Sequence, residues 1–141
     1  MMKIKMIIII SITIFFQNKL FANTKFFQQG LELFNEKKFN EAKFKFEQDL
    51  VINPKSEMSY LYLSKIFKNL DKKNLQEQNL NSVILLNPNN EEAIYFLARL
   101  KLDSSDYKKS RELNDRLIDL CSSFCSESKK LKTEIENLSK K

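Results

Sequence analysis

The dipeptide Asn53-Pro54 returns as Asn87-Pro88 34 residues later, and the stretch between them repeats its order of large, small and polar positions. A period of this length marks a stacked array, in which one short unit cannot bury its apolar face alone and leans on the next. Placing 23–56, 57–90 and 91–124 over one another puts Gly30, Ser64 and Ala98 in one column. A small residue there lets a second helix approach the first closely. Phe26, Tyr60 and Ile94 stand four positions before it, and Leu33, Phe67 and Lys101 three after. Spacings of three and four put the apolar members on one helical face.

Each unit therefore reads as two short amphipathic helices and a closing turn. In the second helices the inward positions are Ala42, Phe46 and Leu50, then Leu80, Val83 and Ile84, then Leu113, Leu117 and Leu120. Asn40, Ser56 and Asn90 stand where helix N-caps are expected, with Glu41, Glu57 and Glu91 just behind them against the helix dipole. Phe39 and Phe44 are spaced as a hydrophobic staple around Asn40. The two prolines both sit at unit ends and the single glycine at the close-approach column, so nothing breaks a helix internally. With no alternating strand pattern, the expected fold is all-α, with helices over roughly 24–36, 40–52, 57–70, 74–86, 91–102 and 106–120. A last helix over 126–138 puts Leu131, Ile135 and Leu138 on one stripe. Lys132 replaces the small residue there and would obstruct a following helix, so this segment reads as a cap of the kind solenoids need to stay soluble.

These columns resemble the tetratricopeptide repeat: a large residue, a small one, an aromatic, then Ala, a large apolar residue and Pro. The resemblance covers residues 23–124 in three copies. The first fits best, through Phe26, Gly30, Leu33, Phe39, Ala42, Phe46 and Pro54. Later copies drift, with Gln76 and Ser110 in the Ala column, Asn114 in an aromatic column and Ser122 in place of Pro. The resemblance implies a right-handed α-solenoid of antiparallel helix pairs. The alternative is an unrelated helical bundle with a chance repeat. In the family the first helices line an inner groove that binds proteins or peptides. The matching positions here are Phe27, Leu31 and Phe34, then Leu61, Lys65 and Lys68, then Tyr95 and Arg99, flanked by Thr24, Met58, Glu92 and Leu102. The implied groove is apolar and aromatic at one end and basic toward the middle. It suits an extended or helical peptide with apolar residues and a carboxylate. Phe27 and Leu31 stand where the chaperone-binding members use Lys and Asn, which disfavours that ligand. The same apolar side chains could instead be covered by a neighbouring helix or a second copy.

The opening MMKIKMIIIISITIFFQNKLFA has two early lysines, an apolar run over 6–16 and a small residue at position 22. Those are the parts of a secretory signal, and the run is too short to span a bilayer. Residues 1–22 are thus expected to be a signal helix cut before Asn23, leaving a repeat domain over 23–141 in the periplasm or outside the cell. An uncleaved inner-membrane anchor, tethering a structural part of an envelope assembly, is the alternative. The chain has 24 basic and 18 acidic residues. Losing Lys3, Lys5 and Lys19 leaves 21 against 18, an excess of +3 interspersed with acids. That is a mixed solvated surface and not a nucleic-acid stripe.

The chain has no His, which removes the commonest general base and metal ligand. It has no Gly-rich phosphate cradle, and two cysteines are too few for a structural zinc site. No catalytic, cofactor or metal site is expected, and the reading is a binding scaffold without enzymatic activity. Cys121 and Cys125 invite a different role. Export would place them in an oxidising compartment, where paired cysteines in small domains usually bridge. Residues four apart on one helix hold their Cβ atoms about 5–6 Å apart, whereas a disulfide wants about 3.5–4.5 Å. A bridge therefore requires a helix break, and the repeat register puts one there, since Cys121 and Ser122 share the columns of Asn53-Pro54 and Asn87-Pro88.

Overall fold

The structure is a computed structural model and describes residues 24–139. The expected signal segment lies outside the described residues. Among those described there are seven α-helices and no strand: α1 (Lys25–Asn35), α2 (Phe39–Ile52), α3 (Glu57–Asn69), α4 (Lys73–Leu86), α5 (Glu91–Asp103), α6 (Tyr107–Leu120) and α7 (Cys125–Leu138). No described helix is long and apolar enough to cross a membrane. The helices pack in chain order as three pairs, α1 with α2, α3 with α4 and α5 with α6, each pair resting on the next. The last helix, α7, lies on α6 and touches α5.

Pairing turns on the small column. A Cβ added to Gly30 would sit 2.8 Å from the Phe46 ring of α2, closer than atoms tolerate. Ser64 and Ala98 are buried at the equivalent points of α3 and α5. In the third pair the Ser110 hydroxyl, fully buried, donates to the Ala98 carbonyl at 2.9 Å. The turn inside each pair is equally regular. Lys37, Asp71 and Ser105 occupy one column and all have positive φ, 53–61°. The next N–H reaches back five residues, Lys38 to Leu33, Lys72 to Phe67 and Asp106 to Lys101. This is the left-handed helix stop that glycine usually serves, built three times without glycine.

Helix starts depart from expectation in the first and second units. Thr24, Asn90 and Asp106 cap their helices through side-chain oxygens. Asn40, however, lies inside α2, because the chain becomes helical at Phe39 with Lys38 as its cap. Phe39 packs on Phe34 at 5.6 Å and Phe44 is 57% exposed, so the two do not form a staple. Ser56 makes no capping bond. Its hydroxyl donates to Ser59, whose own hydroxyl donates to the buried Asp49 carboxylate, which also accepts from Thr24. Asp49 is thus the inward residue at a place where Val83 and Leu117 stand in later copies.

The Phe46 position repeats as Leu80 and Asn114, all three essentially fully buried. The smaller Asn114 donates to the Ser128 carbonyl at 3.0 Å, but its Oδ1 accepts no hydrogen bond. Beside it lies a cavity of about 170 Å³ between α6 and α7. Two substitutions test this packing. Gly30→Leu should overpack the first pair and cost ~1–3 kcal/mol. Asn114→Leu, which copies Leu80 and removes an orphaned acceptor, should raise stability by about 1 kcal/mol. Urea denaturation of each against the parent checks both; equal stability would mean these columns do not face a neighbouring helix.

Candidate functional site

Along the face shared by α1, α3 and α5 the same contacts recur from one pair to the next. Phe34 of α1 meets Tyr62 of α3 edge to face, ring centroids 5.1 Å apart. One repeat later the same two positions hold Lys68 and Phe96, with the ammonium 5.2 Å from the ring centroid. Nearby, Lys65 forms a 2.8 Å ion pair with Glu92 of α5 and also lies 4.8 Å over the Tyr62 ring. Arg99 continues the series by pairing with Glu134 of α7. Tyr95 packs against Phe124 at 5.3 Å.

This register sorts the candidate residues. Phe27 and Leu61 are core residues, 4% and 2% exposed, and offer no surface to a ligand. Phe27 is surrounded by Phe46 and Tyr62 at 5.6 and 5.9 Å. Next to the buried Leu61, Tyr62 is half-buried and meets Phe34, and Phe96 holds the same place on α5. Leu31, Phe34, Lys65, Tyr95 and Arg99 are half-buried and Lys68 is exposed. Met58, on the same face, is 42% exposed. The surface strip is therefore Leu31, Phe34, Met58 and Tyr62, continuing into Lys65, Lys68, Phe96 and Arg99. Tyr62 and Phe96 are the residues that sequence reasoning passed over. Their signal was the identical place they occupy in consecutive copies.

The electrostatics differ from a bare basic patch. Lys65 and Arg99 each hold a carboxylate, whereas Lys68 has no ion-pair partner among the described residues. Lys68 opens onto a cleft of about 250 Å³ lined by Asp71, Lys73, Gln76, Phe96 and Arg99. Glu134 went unremarked because nothing in its local sequence marks it as a partner of Arg99, 35 residues away. No group of three His, Cys, Asp or Glu side chains that could hold a metal occurs among the described residues.

Cys121 and Cys125 lie at the other end of the third pair. Cys121 closes α6 and Cys125 opens α7, with Cα atoms 5.1 Å apart and sulfurs at bonding distance. The helix is broken between them at 122–124. Glu91, the first residue of α5, grips that break. Its carboxylate accepts the N–H groups of Ser122, Ser123 and Phe124, each at 2.9 Å, and the Ser122 hydroxyl. Glu57 does the corresponding work one repeat earlier, accepting from Asn87 and Asn90. The Ser122 hydroxyl, then the Phe124 and Ser123 N–H groups, hold the Glu91 carboxyl down to about 2.

No protein-family model and no curated protein matches the sequence. Solved structures do match the fold. The first tetratricopeptide domain of Spaghetti (RPAP3), bound to an HSP90 peptide, superposes with a TM-score of 0.72 at 15% identity, over 81% of this chain and 90% of that one. The Sgt2 tetratricopeptide domain from Aspergillus fumigatus gives 0.70 at 17% identity, over 83% and 81%. The Yersinia enterocolitica type III secretion chaperone SycD, in complex with a peptide of the translocator YopD, gives 0.73 at 12% identity, over 83% and 93%. The fold is that of the tetratricopeptide-repeat solenoid. The strip on α1, α3 and α5 accordingly lies on the first helices of its three repeats, and α7 occupies the place of a capping helix.

The grip of Glu91 on the third turn carries a sign in pH. A carboxyl whose folded pKa is depressed stabilises the fold fully above its unfolded value, near 4.5, and loses that contribution as pH falls toward about 2. Glu91→Gln should lower the melting temperature at pH 7, and its gap to the parent should narrow steadily between pH 4.5 and 2. A gap independent of pH would show that the ionised carboxylate is not what holds the turn.

Proposed function

We propose that this protein is an exported scaffold that binds a peptide or a protein segment along α1, α3 and α5 and has no catalytic activity of its own. The observation that carries the reading is the continuous apolar strip of Leu31, Phe34, Met58 and Tyr62, half-buried or exposed and followed by the exposed Lys68. Rigid aromatic anchors beside a charged rim are the usual build of a peptide groove. Two solved proteins of the same fold hold peptides, the Spaghetti domain and SycD. The ligand this groove suits is mainly apolar. Lys65 and Arg99 are already neutralised by Glu92 and Glu134, which leaves Lys68 to meet a single acidic group.

The N-terminal signal pattern supports a periplasmic or extracellular location, where oxidation of Cys121 and Cys125 would close the third turn permanently. Intact mass of the native protein tests both parts, through loss of residues 1–22 and through thiols that alkylate only after reduction.

Selection of a displayed random-peptide library on the protein tests the groove. The expected winners carry two or more apolar or aromatic residues and one acid. Met58→Glu, an exposed site, should weaken them about tenfold or more, a loss of about 1.4 kcal/mol. Lys68→Glu should remove the preference for the acid and the salt dependence of binding. Peptides that bind both variants as well as the parent would place the site elsewhere.

A further inference from the structure

The cleft beside Lys68 holds a polar side chain for which helix packing gives no reason. Its rim is charged and exposed: Lys68 near the end of α3, Asp71 in the turn, Lys73 at the start of α4 and Asp103 at the end of α5. None of these four forms an ion pair among the described residues. Beneath them lie Gln76 of α4 and Leu100 of α5, 5% and 6% exposed. The Gln76 side chain makes no hydrogen bond to a described residue. Its amide atoms are also not among the sealed, unsatisfied ones, which among the described residues belong to Gln48 and Asn114. The small part of this amide that solvent reaches therefore opens into the cleft that it lines. Pairing of α3 with α4 does not require a glutamine here. The same column holds Ala42 in the first repeat and Ser110 in the third, both fully buried. The cleft measures about 250 Å³. One ordered water needs only ~10–15 Å³, so a single structural water does not account for it.

We propose that this cleft is a side-chain pocket of the groove, in which the Gln76 amide recognises the carboxamide of an asparagine or glutamine next to the ligand's acidic residue. The inference rests on the peptide groove proposed above. A carboxamide carries both donors and an acceptor, so two of them facing one another exchange two hydrogen bonds. Gln76 Nε2 donates to the ligand's oxygen, and the ligand's nitrogen donates to Gln76 Oε1. The surrounding charges select against ionised side chains. With Lys68 meeting the ligand's acid and Arg99 held by Glu134, Lys73 stands against both Asp71 and Asp103. A second carboxylate would meet more negative charge than positive. An ammonium would meet Lys73 and compete with Lys68, which lies 5.2 Å from the centre of the Phe96 ring. An apolar side chain would cover the Gln76 amide without pairing it, and a buried polar group left unpaired is what lets a site reject an analogue. A peptide main chain would run past the exposed rim, so only a side chain reaches the amide below.

The displayed-peptide selection, run in parallel on the parent and on Gln76→Ala, tests the pocket. The parent should enrich asparagine or glutamine beside the acid, and Gln76→Ala should lose that enrichment while still selecting apolar residues and the acid. A selected peptide resynthesised with glutamate or methionine in place of its amide residue should bind the parent at least about tenfold more weakly. On Gln76→Ala the three peptides should bind alike. The variant copies Ala42 and should melt no lower than the parent, with Gln76→Ser, which copies Ser110, as a second version. Both variants melting well below the parent would make Gln76 a packing residue and overturn the proposal. Peptides that bind the parent without an amide preference, or with one that survives in Gln76→Ala, overturn the pocket and leave the groove standing. A parent that selects no peptide at all overturns both.

Discussion

The contact between Phe46 and Gly30 is the interaction on which the first pair, and by repetition the whole stack, depends. Two helices can pack with interaxial distances of 8–10 Å only when the side chains between them allow it. At Gly30 the neighbouring ring takes the room that a Cβ would need. Once the pair is closed, Phe46 also stacks on Tyr62 of the next helix, with centroids 5.2 Å apart and rings 15° from parallel. One residue therefore joins α1, α2 and α3. Tyr62 then carries Phe34 and Lys65 on its other sides. The groove surface is in this sense the outer layer of the packing that begins at the glycine.

Helix number, order and pairing were legible in the 34-residue register, because that register is a direct consequence of stacking. So were the cap at Asn90 and the break between Cys121 and Cys125, since both follow from local chemistry at known columns. What was not legible is of two kinds. The start of α2 at Phe39 instead of Asn40 reflects the left-handed residue at Lys37, whose turn geometry sets the helix start regardless of the better capping residue three positions on. The groove lining failed at Phe27 and Leu61 for another reason. Phe27 is enclosed by the rings of Phe46 and Tyr62, and Leu61 joins the second buried cluster, contacts with other helices that the register of one helix does not show.

The carboxylates show a similar economy. Glu57 and Glu91 share one column, and each ties down the turn that ends its own repeat. In the third repeat the Asn-Pro of the earlier turns gives way to Ser122 and the cysteine pair, yet the glutamate keeps its role by accepting backbone N–H groups directly. Glu92, beside it, faces the opposite task and neutralises Lys65 on the groove. Adjacent acids at a helix start are usually ascribed to the dipole alone. In this molecule Glu57 and Glu91 fasten each repeat to its own closing turn, and Glu92 ties the third repeat to the second.

The buried side chains fall into two clusters and not one. Phe27, Ala42, Phe46, Leu63, Ile66 and Phe67 form the first, while Leu61 of the same helix α3 joins the second with α4 through α7. Helix α3 is therefore a shared wall between two cores, and the first pair is fastened to the rest through it. In a quasi-one-dimensional array such a wall divides the chain into cooperative units that can open separately. The amides of α1 and α2 should then exchange with solvent by a different opening event from those of α5 and α6. The groove runs from Leu31, Phe34 and Tyr62, packed on the first cluster, to Phe96, packed on the second, and so straddles that wall. A ligand lying along it holds the two units shut together, so occupancy of the groove becomes a brake on local unfolding at the N-terminal end.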